Sequence, residues 1–250
     1  MRSARVEQRI KAVDVFLLSL SKQVHALVKE NLPEKSSVRV LEAGCGSTGQ
    51  IGVDPEWHVT GIDISEQQLS RNTFLQERIL GDIETYRLQE ESFDLIICWD
   101  VLEHLPNPER ALQNLFKAVS AEGLVVLAFP HVLSIKGLVT KFTPFSVANF
   151  FYRHIIGDKR DASELNQFPT HMRLDILPGR IVALAEKQGL EVCYRYLYEG
   201  PVQRYLRAVS RVADAGFAVT GFLLKTATLG FFEPNLTDCI LILRKLPPDH

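Results

Sequence analysis

A short apolar strand that runs into a glycine-rich turn constrains this chain more than any other feature. Residues 38–49 read Val-Arg-Val-Leu-Glu-Ala-Gly-Cys-Gly-Ser-Thr-Gly. Gly44, Gly46 and Gly49 let the backbone bend sharply and approach a ligand at points where a Cβ atom would collide. Because a glycine pattern of this kind is unspecific by itself, the elements that follow it must decide what the turn binds.

Acidic residues follow the next two predicted strands. Residues 59–62 precede Asp63, residues 79–81 precede Asp82, and residues 93–100 read as a fourth strand. Since strands alternate with predicted helices, we expect a doubly wound α/β sheet with its ligand crevice at the carboxyl ends of the strands. A carboxylate at the tip of the second strand can accept hydrogen bonds from two ribose hydroxyls. The pattern therefore predicts a nucleoside pocket.

Two cofactors, a dinucleotide and S-adenosylmethionine, fit a pocket of this kind. A dinucleotide needs a helix N-terminus directed at its pyrophosphate, but only residues 50–58 separate the glycine turn from the second strand. Gly52 and Pro55 oppose a helix there, and Asp54 would repel phosphate. Glu42, just before the turn, suits the sulfonium and ammonium groups of S-adenosylmethionine. The sequence therefore favours the methyl donor.

Four stretches of the chain, in this order and spacing, resemble class I S-adenosylmethionine-dependent methyltransferases of the bacterial small-molecule type (methyltransferase domain 11-like). They are residues 41–46, 59–65, 80–83 and 93–105, and the resemblance covers about residues 36–130. It implies an enzyme that transfers methyl groups. It also implies a Rossmann-like, doubly wound, mostly parallel seven-stranded sheet with an antiparallel edge strand.

The resemblance further implies where the cofactor binds. The glycine turn would hold the methionine portion and Asp63 the ribose. Asp82 and Ile83 would flank the adenine, and Trp99 would close the pocket. The full set of expected cofactor-binding residues is Glu42, Gly44, Cys45, Gly46, Asp63, Ile64, Asp82, Ile83 and Trp99. The missing first crossover helix departs from the family pattern and leaves the contacts of residues 47–55 open.

Histidines are the candidates for catalysis. Methyl transfer is an in-line displacement, so the protein must align the acceptor and, for an oxygen or nitrogen acceptor, remove a proton. Histidine titrates near working pH, and the candidates are His104, His131 and His171. For each of them, a structural histidine bonded to a backbone carbonyl is the alternative. We expect no metal site, because the four cysteines lack the spacing of zinc ligands.

We expect a single methyltransferase domain over residues 1–250. Its parts are an N-terminal helical region at 1–35, the cofactor-binding core at 36–130, an aromatic insertion at 131–170, and an apolar insertion at 201–235. The aromatic insertion is either a substrate lid or a small satellite core. Local patterns predict helices at 6–30, after Ser65, from Pro108 and at 181–188, and strands at 124–129 (after a turn at Glu122-Gly123), 191–199 and 239–243. By the resemblance, the last two strands form the antiparallel edge.

The amino-acid composition limits which partners and which cellular compartment we expect. The net charge is −2, so no global basic field indicates nucleic acid. Cysteines without a pairing pattern suggest a reducing compartment, and we expect a cytoplasmic protein. Glu7 and Asp14 interrupt the apolar N-terminal stretch, so a signal peptide is not expected.

The segment 201–233 has three open interpretations: a membrane-touching lid, a cover for the sheet edge, or a homodimer contact. Apolar residues predicted to share one helical face are Val202, Tyr205, Leu206, Val209, Val212 and Ala213, and Arg204, Arg207 and Arg211 share the other. Such a basic amphipathic helix can lie on an anionic membrane. Residues 216–232 are apolar but shorter than the roughly 20 residues that span a bilayer.

The sequence thus predicts S-adenosylmethionine-dependent methyl transfer to a small-molecule, glycan or lipid-linked acceptor, at oxygen. An inactive cofactor-binding module that regulates a partner, and an NAD-dependent oxidoreductase, are the alternatives.

Overall fold

The structure, a computed structural model, describes residues 4–49, 51–134, 171, 173–230 and 233–247. The predicted aromatic insertion falls almost entirely on residues 135–170, outside the described residues. Elements are numbered in the order in which the described part of the chain contains them. The helices are α1 (Ala4–Asn31), α2 (Glu66–Arg71), α3 (Pro108–Ala118), α4 (Pro178–Lys187), α5 (Pro201–Val209) and α6 (Arg211–Ala227). The strands are β1 (Arg39–Ala43), β2 (His58–Asp63), β3 (Glu77–Leu80), β4 (Phe93–Trp99), β5 (Val119–Pro130), β6 (Leu190–Tyr198) and β7 (Asp238–Lys245).

The seven strands form one sheet in the order β3-β2-β1-β4-β5-β7-β6. The pairs β1–β2, β1–β4, β2–β3 and β4–β5 are parallel, and β7 is antiparallel to both of its neighbours. The antiparallel pairing therefore lies at the β6 edge, as predicted, with β7 as the reversed strand and β6 outermost. The strand order reverses direction at β1, which places a crevice outside the carboxyl ends of β1 and β4.

Each face of the sheet is covered by helices and has its own apolar core. On one face, α3 and α4 pack against the sheet through residues such as Phe116 and Ile181. On the other face, α1 and α2 do so through Val24 and Leu69. The nearly continuous apolar sequence of β4 and β5 follows from burial on both faces, which is typical of central parallel strands.

Several local predictions are confirmed. The buried residues of α1 recur at helical spacing, at Val13, Leu20, Val24 and Val28. Ser65 caps α2, because its side chain accepts a hydrogen bond from the N–H of Gln68. Pro108 opens α3, and Gly189 follows α4 with a φ of 74°.

The connection between β1 and β2 contains no helix among its described residues, as the sequence predicts. The start of β5, in contrast, differs from the prediction. The strand begins at Val119, and Glu122 and Gly123 lie inside it as a local kink, with a φ of 60° at Glu122. A Cβ atom at Gly123 would lie 2.9 Å from the backbone oxygens of Asp94 and Ser120. The glycine permits this close approach of backbones, so it does not mark a turn before the strand.

The apolar insertion forms two helices, and the break between them lies inside the amphipathic helix that the sequence predicts over residues 202–213. Ser210 separates α5 from α6 and caps α6, because its side chain accepts from the N–H of Ala213. Tyr205 of α5 donates a hydrogen bond to Asp14 of α1, so the expected apolar face of α5 packs on α1. No helix among the described residues is long and apolar enough to cross a membrane.

Arg204 and Arg207 do not form the solvent-facing basic face that the sequence predicts. The guanidinium of Arg204 lies 3.7 Å from the ring centre of Phe16 and donates to the backbone oxygen of Glu199. Arg207 pairs with Glu199 and Asp214 at 2.8 Å. Because their partners lie within the chain, these two arginines hold α5 in place.

Candidate functional site

The glycine turn after β1 has the backbone conformation that its sequence predicts. Gly44 and Gly46 have φ angles of 70° and 53°, which glycine adopts without strain. A Cβ atom at Gly44 would lie 2.4 Å from a methyl group of Val101. The N–H groups of Gly44 and Cys45 both donate to the backbone oxygen of Ile62, at 2.8 and 3.2 Å. The turn is therefore fixed against the end of β2 and has no room for side chains at Gly44.

Asp63 connects the glycine turn to α2. Its carboxylate accepts hydrogen bonds from the N–H of Gly46 at 2.9 Å and from the N–H of Ser65 at 2.8 Å. The residue is 6% exposed. A carboxylate has about four lone-pair directions, so two remain for ligand hydroxyls. Sequence reasoning assigned Asp63 only to the ribose and missed this structural role, which the Gly46 spacing alone does not reveal.

Glu42 lies at the end of β1 and is buried. One of its carboxylate oxygens would be 3.3 Å from a Cβ atom at Gly49, so glycine there leaves space for the acid. Glu42 also lines a cavity of about 220 Å³, together with Gly49, residues 51–53, Val59 and Phe74. The described part of the connection after β1 thus borders a small open cavity with an acidic wall.

The residues expected around the adenine occupy different environments. Asp82 lies in the turn after β3, where its carboxylate accepts from the N–H of Glu84 at 2.8 Å. Ile83 is 4% exposed and packs in the core beneath α3. Ile64, next to Asp63, is 58% exposed. Of the two isoleucines, Ile64 therefore offers the open apolar surface that a planar base needs.

Cys45 and Trp99 pack beside the turn. The sulfur of Cys45 would be 2.7 Å from a Cβ atom at Gly61. Burial, with the charges of Asp63 and Glu42 adding to it, raises the pKa of the Cys45 thiol to about 12, so the group is neutral at pH 7. Trp99 is half-buried against the core on the α1 face. Their roles toward a cofactor remain predictions.

The structure brings two of the three candidate histidines together. His104 ends a short 3₁₀ helix (Leu102–His104) after β4, and its Nε2 lies 4.0 Å from a carboxylate oxygen of Glu103. His171 is exposed, and its N–H donates to the backbone oxygen of Glu103 at 2.8 Å. Both histidines therefore lie near Glu103, beyond the carboxyl end of β4.

His131 directly follows β5, and its backbone is held by the residue before β7. Its N–H donates to the backbone oxygen of Thr237 at 2.8 Å. The Nδ1 atom is buried and has no hydrogen-bond partner among the described residues. Burial and the charge of Arg195 lower the pKa of the imidazole, although Asp238 acts in the opposite direction. The ring is therefore neutral at pH 7, and in one tautomer it carries a lone pair without a partner.

These features fit S-adenosylmethionine by the chemistry of their donors. The glycine turn lets the backbone approach a ligand, while the acids Glu42 and Asp63 suit a cationic group and ribose hydroxyls. The described part of the connection after β1 supplies no helix N-terminus for a pyrophosphate. The residues that would hold the cofactor are Glu42, the glycine turn and Asp63.

Comparisons with known proteins agree with this assignment. Residues 41–127 match the family model described as a methyltransferase domain. A malonyl-[acyl-carrier protein] O-methyltransferase of Bacillus cereus is 35% identical over 127 residues, 44% of this chain and 45% of the relative. A ubiquinone biosynthesis O-methyltransferase of Coxiella burnetii is 34% identical over 85 residues, 30% of this chain and 36% of the relative. The chain thus matches less than half the length of these relatives.

Among solved structures, a putative sarcosine dimethylglycine methyltransferase from Galdieria sulphuraria has the same fold. Its TM-score is 0.54 at 15% identity, and the match covers 98% of this chain and 92% of that one. Residues 41–127 therefore form a methyltransferase-type domain by the family match, the sheet has the fold of a solved methyltransferase, and the glycine turn with its acids fits S-adenosylmethionine as the cofactor.

Proposed function

We propose that this protein transfers the methyl group of S-adenosylmethionine to an oxygen atom of a small-molecule, glycan or lipid-linked acceptor. The observation that carries the proposal is the glycine turn between Glu42 and Asp63, with no helix N-terminus for a pyrophosphate among the described residues between β1 and β2. Both relatives described above are O-methyltransferases, which supports oxygen as the accepting atom.

The reaction requires the protein to align the acceptor with the cofactor and to remove one proton. When bound, the cofactor supplies an electrophilic methyl group on a sulfonium. The chain must hold the acceptor oxygen in line with that group and exclude competing water. We assign proton removal to His131, because it directly follows the carboxyl end of β5, where the crevice lies, and its Nδ1 has no hydrogen-bond partner among the described residues.

The direct experiment is to incubate the protein and S-adenosylmethionine, labelled in the methyl group, with fractionated cell extract. We expect label to appear in a product whose methyl group is bound to oxygen. The His131→Gln variant is the matched control, because it should bind the cofactor and transfer much less label. Cofactor binding without transfer to any fraction would contradict the proposal and favour an inactive regulatory module.

A further inference from the structure

Helix α6 presents apolar side chains to solvent and polar ones to the protein, which is the opposite of an ordinary surface helix. Four large apolar side chains of α6 are exposed: Val212 is 84% exposed, Val219 59%, Phe222 70% and Leu223 59%. At 100° per residue these four side chains fall within an arc of about 100°, and no charged residue of α6 lies inside that arc. Monomeric proteins in water rarely present such a contiguous apolar surface without a partner.

The inward face of α6 is the polar one, and its contacts fix the orientation of the helix. Asp214 accepts from Arg9 of α1 at 2.7 Å and from Arg207 of α5 at 2.8 Å. Gly221 is buried, and a Cβ atom there would lie 2.2 Å from the side chain of Asn235. Rotation of α6 to bury its apolar face would break both ion pairs and this close packing, so the apolar face is held outward.

A basic cavity lies at the N-terminal end of the same helix. It measures about 560 Å³ and is lined by Arg5 and Arg9 of α1, by Arg211 of α6, and by apolar residues that include Val209. Arg5 and Arg211 are exposed and form no ion pair with any described residue. Two guanidinium groups without ion-pair partners in the described part of the chain, beside an apolar helix face, offer a combined site for an anionic head group and acyl chains.

We propose that α6 lies flat on the surface of an anionic lipid bilayer. The apolar face of its 17 residues, about 26 Å long at 1.5 Å per residue, enters the boundary between head groups and acyl chains. A lipid phosphate binds between Arg5 and Arg211. A second copy of the chain fits this surface less well. Its own α6 would bring the same arginines and no exposed acid in the apolar arc, so the arginines would find no negative partner. An anionic bilayer supplies that negative charge.

Co-sedimentation with vesicles tests the apolar face. The full chain should pellet with vesicles of phosphatidylcholine and phosphatidylglycerol at low salt, and much less with phosphatidylcholine alone. The double variant Phe222→Ser/Leu223→Ser should lose at least tenfold in partitioning. Leu246→Ser is the matched control, because Leu246 is an exposed leucine (43%) at the end of β7, and it should bind as the wild type does.

The basic cavity has its own pair of variants. Arg5→Gln/Arg211→Gln should reduce binding to anionic vesicles by about fivefold for each arginine removed, from about 1 kcal/mol per basic residue near such a surface. Arg110→Gln, at an exposed arginine of α3, should have no effect. Circular dichroism and S-adenosylmethionine binding, measured on all variants, verify that each is folded.

The remaining outcomes contradict the proposal. Wild-type protein that stays in the supernatant with anionic vesicles at low salt shows that α6 does not bind lipid. A dimer in sedimentation velocity that Phe222→Ser/Leu223→Ser converts to monomer, without vesicle binding, identifies a second copy as the occupant. Both readouts are independent of methyl transfer, so they test the surface whether or not an acceptor has been found.

Discussion

Replacement of Asp63 by alanine tests the double role that the structure gives this carboxylate. The change leaves the N–H groups of Gly46 and Ser65 without their acceptor. Loss of a buried acceptor costs about 1–3 kcal/mol for each donor left unpaired. Because both donors are only partly buried, we expect the free energy of unfolding to fall by about 2–4 kcal/mol. Asp63→Asn keeps one acceptor oxygen and should lose about half as much.

The same substitution should weaken cofactor binding. The ribose hydroxyls lose a charged acceptor, worth about 1.5–3 kcal/mol, so the affinity for S-adenosylmethionine should fall roughly tenfold or more. Urea denaturation measures the first effect, and isothermal titration calorimetry under conditions where the variant is folded measures the second. Glu66→Ala, at an exposed acid of α2, is the control and should change neither quantity by much.

Two results would refute this reasoning separately. If Asp63→Ala is as stable as the wild type, the carboxylate does not hold the glycine turn. If the variant is destabilised but binds S-adenosylmethionine with unchanged affinity, the carboxylate holds the turn and does not contact the ribose.

Three further predictions follow from other contacts. His131→Gln should lower turnover by about 10²–10⁴ at unchanged cofactor affinity, measured on the identified acceptor; unchanged turnover would exclude His131 as the base. Gly44→Ala should abolish cofactor binding in calorimetry, because its Cβ atom meets Val101, whereas Gly52→Ala, with nothing within 4 Å, should bind normally. Burial raises the pKa of the Asp94 carboxyl, but hydrogen bonds from Arg39 and Lys35 outweigh it and hold the pKa far below its usual range. The ionised carboxylate therefore contributes fully to the free energy of unfolding above about pH 4, and this contribution is lost as pH falls toward the pKa of the folded state. Asp94→Asn should lower the free energy of unfolding by about 3 kcal/mol at pH 7. Denaturation curves of this variant should no longer show that dependence on acid.

The cofactor half of the molecule could be predicted from sequence because its signals are local. The glycines after β1, the cap at Ser65 and the proline that opens α3 each act within a few residues. The lack of a helix between β1 and β2 could likewise be read from Gly52 and Pro55. These features set the backbone path around the crevice, and the structure agrees with them.

The predictions that failed depended on contacts with other elements of the fold. Arg204 and Arg207 have the spacing of a basic helical face. In the structure, however, Arg204 packs over the ring of Phe16 on α1, and Arg207 forms an ion pair with Asp214 on α6. A helical wheel does not contain those partners. The kink in β5 has the same cause, because the backbone of Asp94 approaches Gly123 from a neighbouring strand.

Only the structure shows the difference between the two helices of the insertion. From sequence, residues 202–213 read as a basic amphipathic helix and residues 216–232 as an apolar segment that follows it. In the structure α5 packs on α1, whereas α6 presents its apolar arc outward and its acid inward. Such an arrangement depends on the break at Ser210, which lets the two helices have independent orientations.

Titration of the purified protein with S-adenosylmethionine and, separately, with NAD, in one calorimeter under identical conditions, tests the central claim most directly. The claim is that the acid-lined glycine turn binds a cationic nucleoside and not a pyrophosphate. The account predicts saturable one-to-one binding of S-adenosylmethionine and no heat of binding with NAD. Saturable binding of NAD, with no binding of S-adenosylmethionine, would contradict it.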